Sequence, residues 1–405
     1  MQWELSAEQD AYQQAFRSWL SAESPSALVR QWLDAGDAAS FEAMFVAAGW
    51  AGVGLPEELG GQGGGLVELA LTAEELARAA APSAAWLATV LAAPALAAQP
   101  ANSARPANSA RPANSARPGR PAGAGLAAEA GLVAAALAGE TAALLTPAEA
   151  PPGQAPPLPL AADGTISGSV ARVLAGDTAA RFVVPAGGEL RLAEADSPGV
   201  QRMVRRLLDR SRSVADVTLD RVPTRPLGVD LGGFLEQASA RAAVLTAADS
   251  LGATARMLDL AVAYSKQRYQ FGVPIGSFQA VKHAAATMLV GVEAARSAVY
   301  FAAASVDAGG PQALLHAAAV KAQVTAEGGR AADSALTLHG AIGYTWEHDL
   351  HLFFKRAKLD EQLFGAPATW NERIADALAL VQREPPSSSA IRPSPRTSRP
   401  SPRTT

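Results

Sequence analysis

The sequence predicts an α+β protein in three parts: an N-terminal helical unit, a small middle β unit and a C-terminal helical bundle. Apolar residues recur at helical spacing through the first hundred positions, and again after about position 226. Between these regions that spacing gives way to short β-branched runs broken by glycine. Two long seams of small and branched apolar residues, stepping by four and three, then mark closely packed helices.

In the N-terminal unit (1–98), Ser6-Ala7-Glu8-Gln9 has the form of a capping box, with Leu5 placed as its staple. Tyr12, Phe16 and Leu20 follow at helical spacing. The loop AGVGLPEELGGQGGG, Ala51 to Gly65, carries too much glycine and proline to stay helical. It is a weak phosphate-loop candidate, since no predicted strand precedes it and no Lys-Ser ending closes it. A helix is expected through GLVELALTAEELARAAA. Residues 99–123 hold three tandem ANSARP hexapeptides. A proline in every sixth place stops a helix and little apolar mass is left to bury, so this stretch reads as a flexible basic linker.

Residues 124–225 read as a small antiparallel β unit. In SVADVTLDRVP, Ala215, Val217 and Leu219 fall on one face and Asp216, Thr218 and Asp220 on the other. Residues 226–384 return to helix. Val244, Ala248, Leu251, Ala255, Leu258 and Val262 form one seam; Val281, Ala285, Met288, Val292, Ala295 and Val299 form the other. Joined by a short break, they predict an antiparallel helix hairpin. The Pro/Ser/Arg-rich end (385–405) is expected to be disordered.

Composition narrows the function. The 405 residues are 49% hydrophobic and 18% charged, with net charge −4, a soluble globular profile without the field that nucleic acid or a membrane surface requires. There is no cysteine, which excludes disulfides, thiolate metal sites and cysteine nucleophiles. The N-terminus lacks an apolar signal core and no apolar run reaches membrane-spanning length, so a cytoplasmic protein without a membrane span is expected.

Two segments stand out chemically. In RYQFGVPIGSFQAVKH, Arg268 to His283, a helix breaks at Gly-x-Pro-x-Gly and resumes at once. Arg268 suits a helix C-terminus, where a cation offsets the dipole; Phe271 and Phe278 suit a bundle plug, and Gln279 a solvated amide. The same arginine, aromatic and amide also suit a dinucleotide, with charge for pyrophosphate and ring and amide for the heterocycle. In SALTLHGAIGYTWEHDLHLFFKRAK, Ser334 to Lys358, Gly340 and Gly343 interrupt a helix and let backbone amides approach a ligand. His339, His348 and His351 lie near one another, but without i, i+4 spacing or cysteine support no metal site is expected.

Together these segments resemble the acyl-CoA dehydrogenase family. Arg268, Phe271, Gly272, Ile275, Phe278 and Gln279 match its Arg-x-x-Phe-Gly-x-x-Ile-x-x-Phe-Gln stretch. His339, Gly340, Gly343, Thr345 and Glu347 partly match its Gln-x-His-Gly-Gly-x-Gly-x-Thr-x-Glu stretch. GWAGVGLPEELGGQGGG, LTAEELARAAAP and ISGSVARVLAGDTAARFVVPA resemble its N-terminal turn, the following helix and its middle strands, in the family's order over about residues 4–380. The resemblance implies an N-terminal helical domain, a middle β domain and a C-terminal four-helix bundle. It also implies FAD, an acyl-CoA substrate dehydrogenated to a 2,3-enoyl-CoA, and electrons passed to an electron-transfer flavoprotein.

Carried over by residue, Arg268, Phe271, Gln279, Thr337, His339, Gly340 and Ala341 are the expected cofactor contacts, made across a subunit interface in a homo-oligomer or with a second acyl-CoA dehydrogenase subunit. The chain departs from the pattern at Thr337, where glutamine is usual, and at Ala341, where glycine is usual. Only Thr146 and Pro147 echo the usual flavin-lining stretch of the middle domain. The two family positions for the catalytic carboxylate fall on Phe364 and near Ala242, neither able to take a proton. Glu347, Asp360 and Glu361 read as surface or structural acids, so the catalytic residue is unassigned. A subunit lacking the base is expected; the alternative is a flavin-free scaffold or acyl-thioester-binding subunit.

Overall fold

A computed structural model describes residues 4–97 and 131–378. The hexapeptide linker (99–123) and the C-terminal tail (385–405) lie outside the described residues. The N-terminal part contains α1 (Ala7–Glu23), α2 (Ser26–Ala35), α3 (Ala38–Ala47), α4 (Leu66–Arg78) and α5 (Ala84–Ala97). The capping box forms as expected: Ser6 Oγ accepts from the Gln9 amide at 3.2 Å, and Gln9 Oε1 from the Ser6 amide at 3.0 Å. Helix α4 is buried on nearly every side, even at Glu74 and Glu75. Such carboxylates persist in a core only when paired. Arg17 and Gln13 donate to Glu75, and Arg296 and Tyr300 donate to Glu74.

The glycine-rich loop is no phosphate cradle. At its exit the amides of Leu66 and Val67 donate to the Asp307 carboxylate, so an internal anion already occupies the start of α4. The loop's glycines serve packing: a Cβ on Gly61 would lie 2.3 Å from the Leu55 carbonyl oxygen.

The middle part begins with a short helix, α6 (131–137), and forms two sheets. One runs β1 (Ala142–Leu144), β3 (Arg181–Ala186), β4 (Glu189–Glu194), β7 (Arg225–Pro226); the other runs β2 (Thr165–Leu174), β6 (Val214–Pro223), β5 (Val200–Arg205). In β6 the alternation holds, with Ala215, Val217 and Leu219 buried. The expected antiparallel order fails at one pair, because β1 and β3 run parallel. A parallel pair needs a long crossover. The chain supplies one by placing β2 in the other sheet before it returns to β3.

The C-terminal part holds α7 (Leu231–Gln267), α8 (Gln279–Asp307), α9 (Ala313–His339), α10 (Leu350–Gln362) and α11 (Pro367–Ala377). Helix α7 packs against α4, α8, α9 and α10. Glycine permits the closest approaches. A Cβ on Gly252 would lie 2.0 Å from the Glu74 carbonyl oxygen, and one on Gly328 would lie 2.2 Å from Ser250 Oγ. Both seams face inward, although Val262, Val281 and Ala285 remain half-buried. Helix α8 has the length and apolar composition of a membrane span, contrary to the expectation that no segment would, but its seam from Met288 to Val299 is packed into the bundle. Its outer face leaves Leu289 and Val290 exposed.

Candidate functional site

The break between α7 and α8 folds as a miniature hairpin. Strand β8 (Tyr269–Gln270) pairs with β9 (Val273–Pro274) around Phe271 and Gly272, both with positive φ, the signature of a type I′ turn. Glycine takes that conformation freely; holding phenylalanine there costs on the order of 1 kcal/mol. The Phe271 ring is 92% exposed, so it is no plug for the bundle end. It meets Phe278 edge to face at 6.2 Å. Arg268 caps α7, its amide donating to the Tyr264 carbonyl at 2.9 Å. Its side chain is exposed and makes no hydrogen bond or ion pair with any described residue. Gln279 opens α8, exposed, at a helix start without a side-chain cap.

The second segment lies at the same end of the bundle. The Tyr264 ring, one turn before Arg268, stacks on His339 at 4.9 Å, and His348 meets His339 at 4.6 Å. Thr337, Gly340 and Ala341 are exposed, and Gly340 ends α9 with φ +61°. His339 differs from the rest of the expected contact set: it is 2% exposed. Its Nδ1–H donates to the Ala335 carbonyl at 2.7 Å, so the ring supports the turn from within. Sequence reading did not single out Arg30 of α2, which grips the turn from outside. Its guanidinium donates to the Asp349 carboxylate and to the carbonyls of Trp346 and Glu347.

Burial lowers the imidazole pKa of His339, of His348 and of His351. Above the unfolded histidine value of about 6.5, folded and unfolded chains are both neutral at these sites. As pH falls through that value the unfolded chain takes up protons that the folded chain resists, so stability declines. Urea denaturation at about pH 7.5 and about pH 5.5 is expected to show that loss. His339→Phe should flatten the dependence; an unchanged slope would assign it to other groups.

The two places where the family resemblance would put a catalytic carboxylate, Phe364 and the neighbourhood of Ala242, lie inside the core. Ala242 is buried within α7. Phe364 is buried with φ +55°. The Phe364 amide donates to the Ala148 carbonyl at 2.6 Å, and Trp370 Nε1 donates to the Phe364 carbonyl at 3.0 Å. Beneath it lies Lys321, fully buried, whose Nζ donates to the carbonyls of Asp360 and Gly365 at 2.9 Å each; burial pushes its amine down to about 7. Of the nearby acids, Glu347 is exposed, Glu361 half-buried and Asp360 fully buried.

Asp360 belongs to a cluster that joins all three parts of the chain. Arg356 donates twice to the Asp249 carboxylate at 2.7 Å, and Arg212 donates to it as well. Arg356 also donates to the Ala81 carbonyl at 2.8 Å and to Ser83 Oγ at 3.0 Å. The two guanidinium groups hold Asp249 ionised, well below the ordinary carboxylate range, against the cost of burial. Burial, and then the Asp249 charge, push the Asp360 carboxyl well above that range, towards its protonated form. The sequence carried one signal of this cluster: a lone aspartate within the alanine-rich run AVLTAADSLG.

Comparison with known proteins agrees with this architecture. Residues 6–101 match the model of the acyl-CoA dehydrogenase N-terminal domain, and residues 235–379 that of the acyl-CoA dehydrogenase C-terminal domain. Acyl-CoA dehydrogenase IpdE2 of Mycobacterium tuberculosis is 33% identical over 324 residues, 79% of this chain and 80% of that protein. Acyl-CoA dehydrogenase FadE34 of the same organism is 39% identical over 212 residues, which is 52% of this chain and 29% of that protein's length. Among solved structures, a chain of the ChsE4–ChsE5 complex from M. tuberculosis superposes with a TM-score of 0.78 at 23% identity, covering 95% of this chain and 100% of that one. The two domain models, matched in order at either end of the chain, and a relative matched over most of its length agree: the chain belongs to the acyl-CoA dehydrogenase family.

Proposed function

We propose that this chain is an FAD-dependent acyl-CoA dehydrogenase subunit that contributes one face of a flavin site and no catalytic carboxylate of its own. One observation carries the reading: Arg268, an arginine without a partner among the described residues, stands beside an aromatic ring that is exposed at a conformational cost. A chain gains nothing for its own core from that pair, whereas a bound dinucleotide uses both. Arg268 would grip the pyrophosphate with its planar fork, Phe271 would cover the nucleotide, and Gln279 would offer its amide to the heterocycle. Thr337, Gly340 and Ala341 would bring the α9 end against the same cofactor, with His339 holding the turn in shape. FAD bound there would accept the β-hydrogen of an acyl-CoA as hydride and pass electrons on to an electron-transfer flavoprotein.

With Phe364 and Ala242 at the base positions, removal of the α-proton falls to a second acyl-CoA dehydrogenase subunit. A general base contributes roughly two to four orders of magnitude to such a reaction. The resemblance to a chain of the ChsE4–ChsE5 complex supports pairing of unlike subunits, and the exposed apolar face of α8 supports assembly.

The test is a flavin titration on the assembled complex. Arg268→Ala is expected to weaken FAD binding more than tenfold, the loss of a charge-assisted contact, while the flavin-free form melts almost unchanged. Arg268→Lys should resemble alanine, since lysine keeps the charge but loses the fork. A flavin-replete Arg268→Ala complex would remove the cofactor role and leave a helix-terminal cation. A complex that never takes up flavin would favour the scaffold reading.

A further inference from the structure

We propose that the cleft between the α1–α2 corner, α4 and α7 binds a phosphoryl group. The cleft encloses about 290 Å³, and three arginines line it: Arg17 from α1, Arg78 from α4 and Arg256 from α7. Ser24, in the turn between α1 and α2, also lines it; the residue is 4% exposed and its buried hydroxyl has no partner. Helix α2 starts at the same place with Pro25 as its N-cap, and no side chain accepts from its first amides. The Ser26 and Ala27 N–H groups have no acceptor among the described residues.

The charges around the cleft favour an anion. One carboxylate lines it, Glu75, and that group is already engaged by Arg17 and Gln13. Arg78 pairs with Asp259 at 2.8 Å, a half-exposed aspartate that does not line the cleft. The Asp349 carboxylate, beyond the α2 terminus, takes the Ser26 hydroxyl and Arg30. Arg256 has no hydrogen bond or ion pair with any described residue. With Arg17 and Arg78 already paired, the free donors are the Arg256 guanidinium, the Ser24 hydroxyl and two α2 amides, more than a carboxylate's two oxygens readily accept. A tetrahedral phosphoryl group presents three oxygens to donors arriving from several directions, which fits this set.

The cleft is separate from the proposed flavin face. Arg256 and Arg268 lie twelve residues apart in sequence, roughly 18 Å along the axis of α7. A flavin-free chain therefore retains the cleft, and its test does not depend on the flavin reading.

Orthophosphate titrated into the full-length protein by calorimetry, against chloride at matched ionic strength, is expected to bind saturably. Arg256→Ala should weaken binding about tenfold or more, with Arg256→Lys intermediate and Ser24→Ala weaker than the parent. Adenosine 3′,5′-bisphosphate tests the source of the group: tighter binding than orthophosphate assigns the cleft to a nucleotide phosphomonoester, and equal binding assigns it to inorganic phosphate. If Arg256→Ala does not fold, phosphorus NMR on the parent decides. Line broadening of orthophosphate that sulfate competes away, and chloride does not, supports the site. Phosphate that binds no better than chloride, or a folded Arg256→Ala protein with parental affinity, overturns it.

Discussion

Asp249→Ala is expected to destabilise the fold by on the order of 3–5 kcal/mol, among the largest effects of any single substitution in this chain. The substitution leaves the guanidinium groups of Arg212 and Arg356, both almost fully buried, without their shared counter-ion. The cost arises from two charges left in a low dielectric, more than from the hydrogen bonds lost. Asp249→Asn should lie close to alanine, because it restores shape and polarity without the charge. Asp360→Asn is a contrasting control: Asp360 is pushed towards its protonated form, so an uncharged amide in its place should cost far less than either change at Asp249. Urea denaturation of the three variants separates these outcomes. Equal losses at the two positions would show that the proton does not reside on Asp360.

Gly252→Ala is expected to cost about 1–3 kcal/mol or more, although alanine is the better helix former by about 1 kcal/mol. The added methyl would meet the Glu74 carbonyl oxygen at 2.0 Å, which is backbone and cannot swing aside. Helices α4 and α7 would have to separate, disturbing the Arg296 and Tyr300 bonds that keep Glu74 paired. Thermal unfolding reads the effect directly. A Gly252→Ala protein as stable as the parent would mean that helix propensity, rather than the α4–α7 approach, dominates at this position.

Much of the architecture was legible because it is written in local spacing. Phe16 and Leu20 announced α1, the 3–4 seams announced α7 and α8, and the proline and glycines after Arg268 announced the break between them. The candidate flavin face was legible for the same reason, since Arg268, Phe271 and Gln279 fall within twelve residues. His339 was found by motif, but its inward orientation was not, because that depends on Tyr264 and His348 closing over it. Arg30 and Asp349 are 319 positions apart, and no periodicity links them. The parallel β1–β3 pair was missed because alternation specifies which face is buried and is silent on strand direction.

By itself the sequence determined which segments become helix or strand and which faces turn inward. These follow from side-chain period, backbone restriction by proline and glycine, and residue chemistry, all of which act over a few positions. Only the tertiary structure decided how the charges behave. Asp249 and Asp360 are chemically alike, yet one is held ionised and the other pushed towards its protonated form. The difference comes from guanidinium groups brought from elsewhere in the chain into direct ion pairs with Asp249. Coulomb energy depends on distance and on the exclusion of water, and folding sets both.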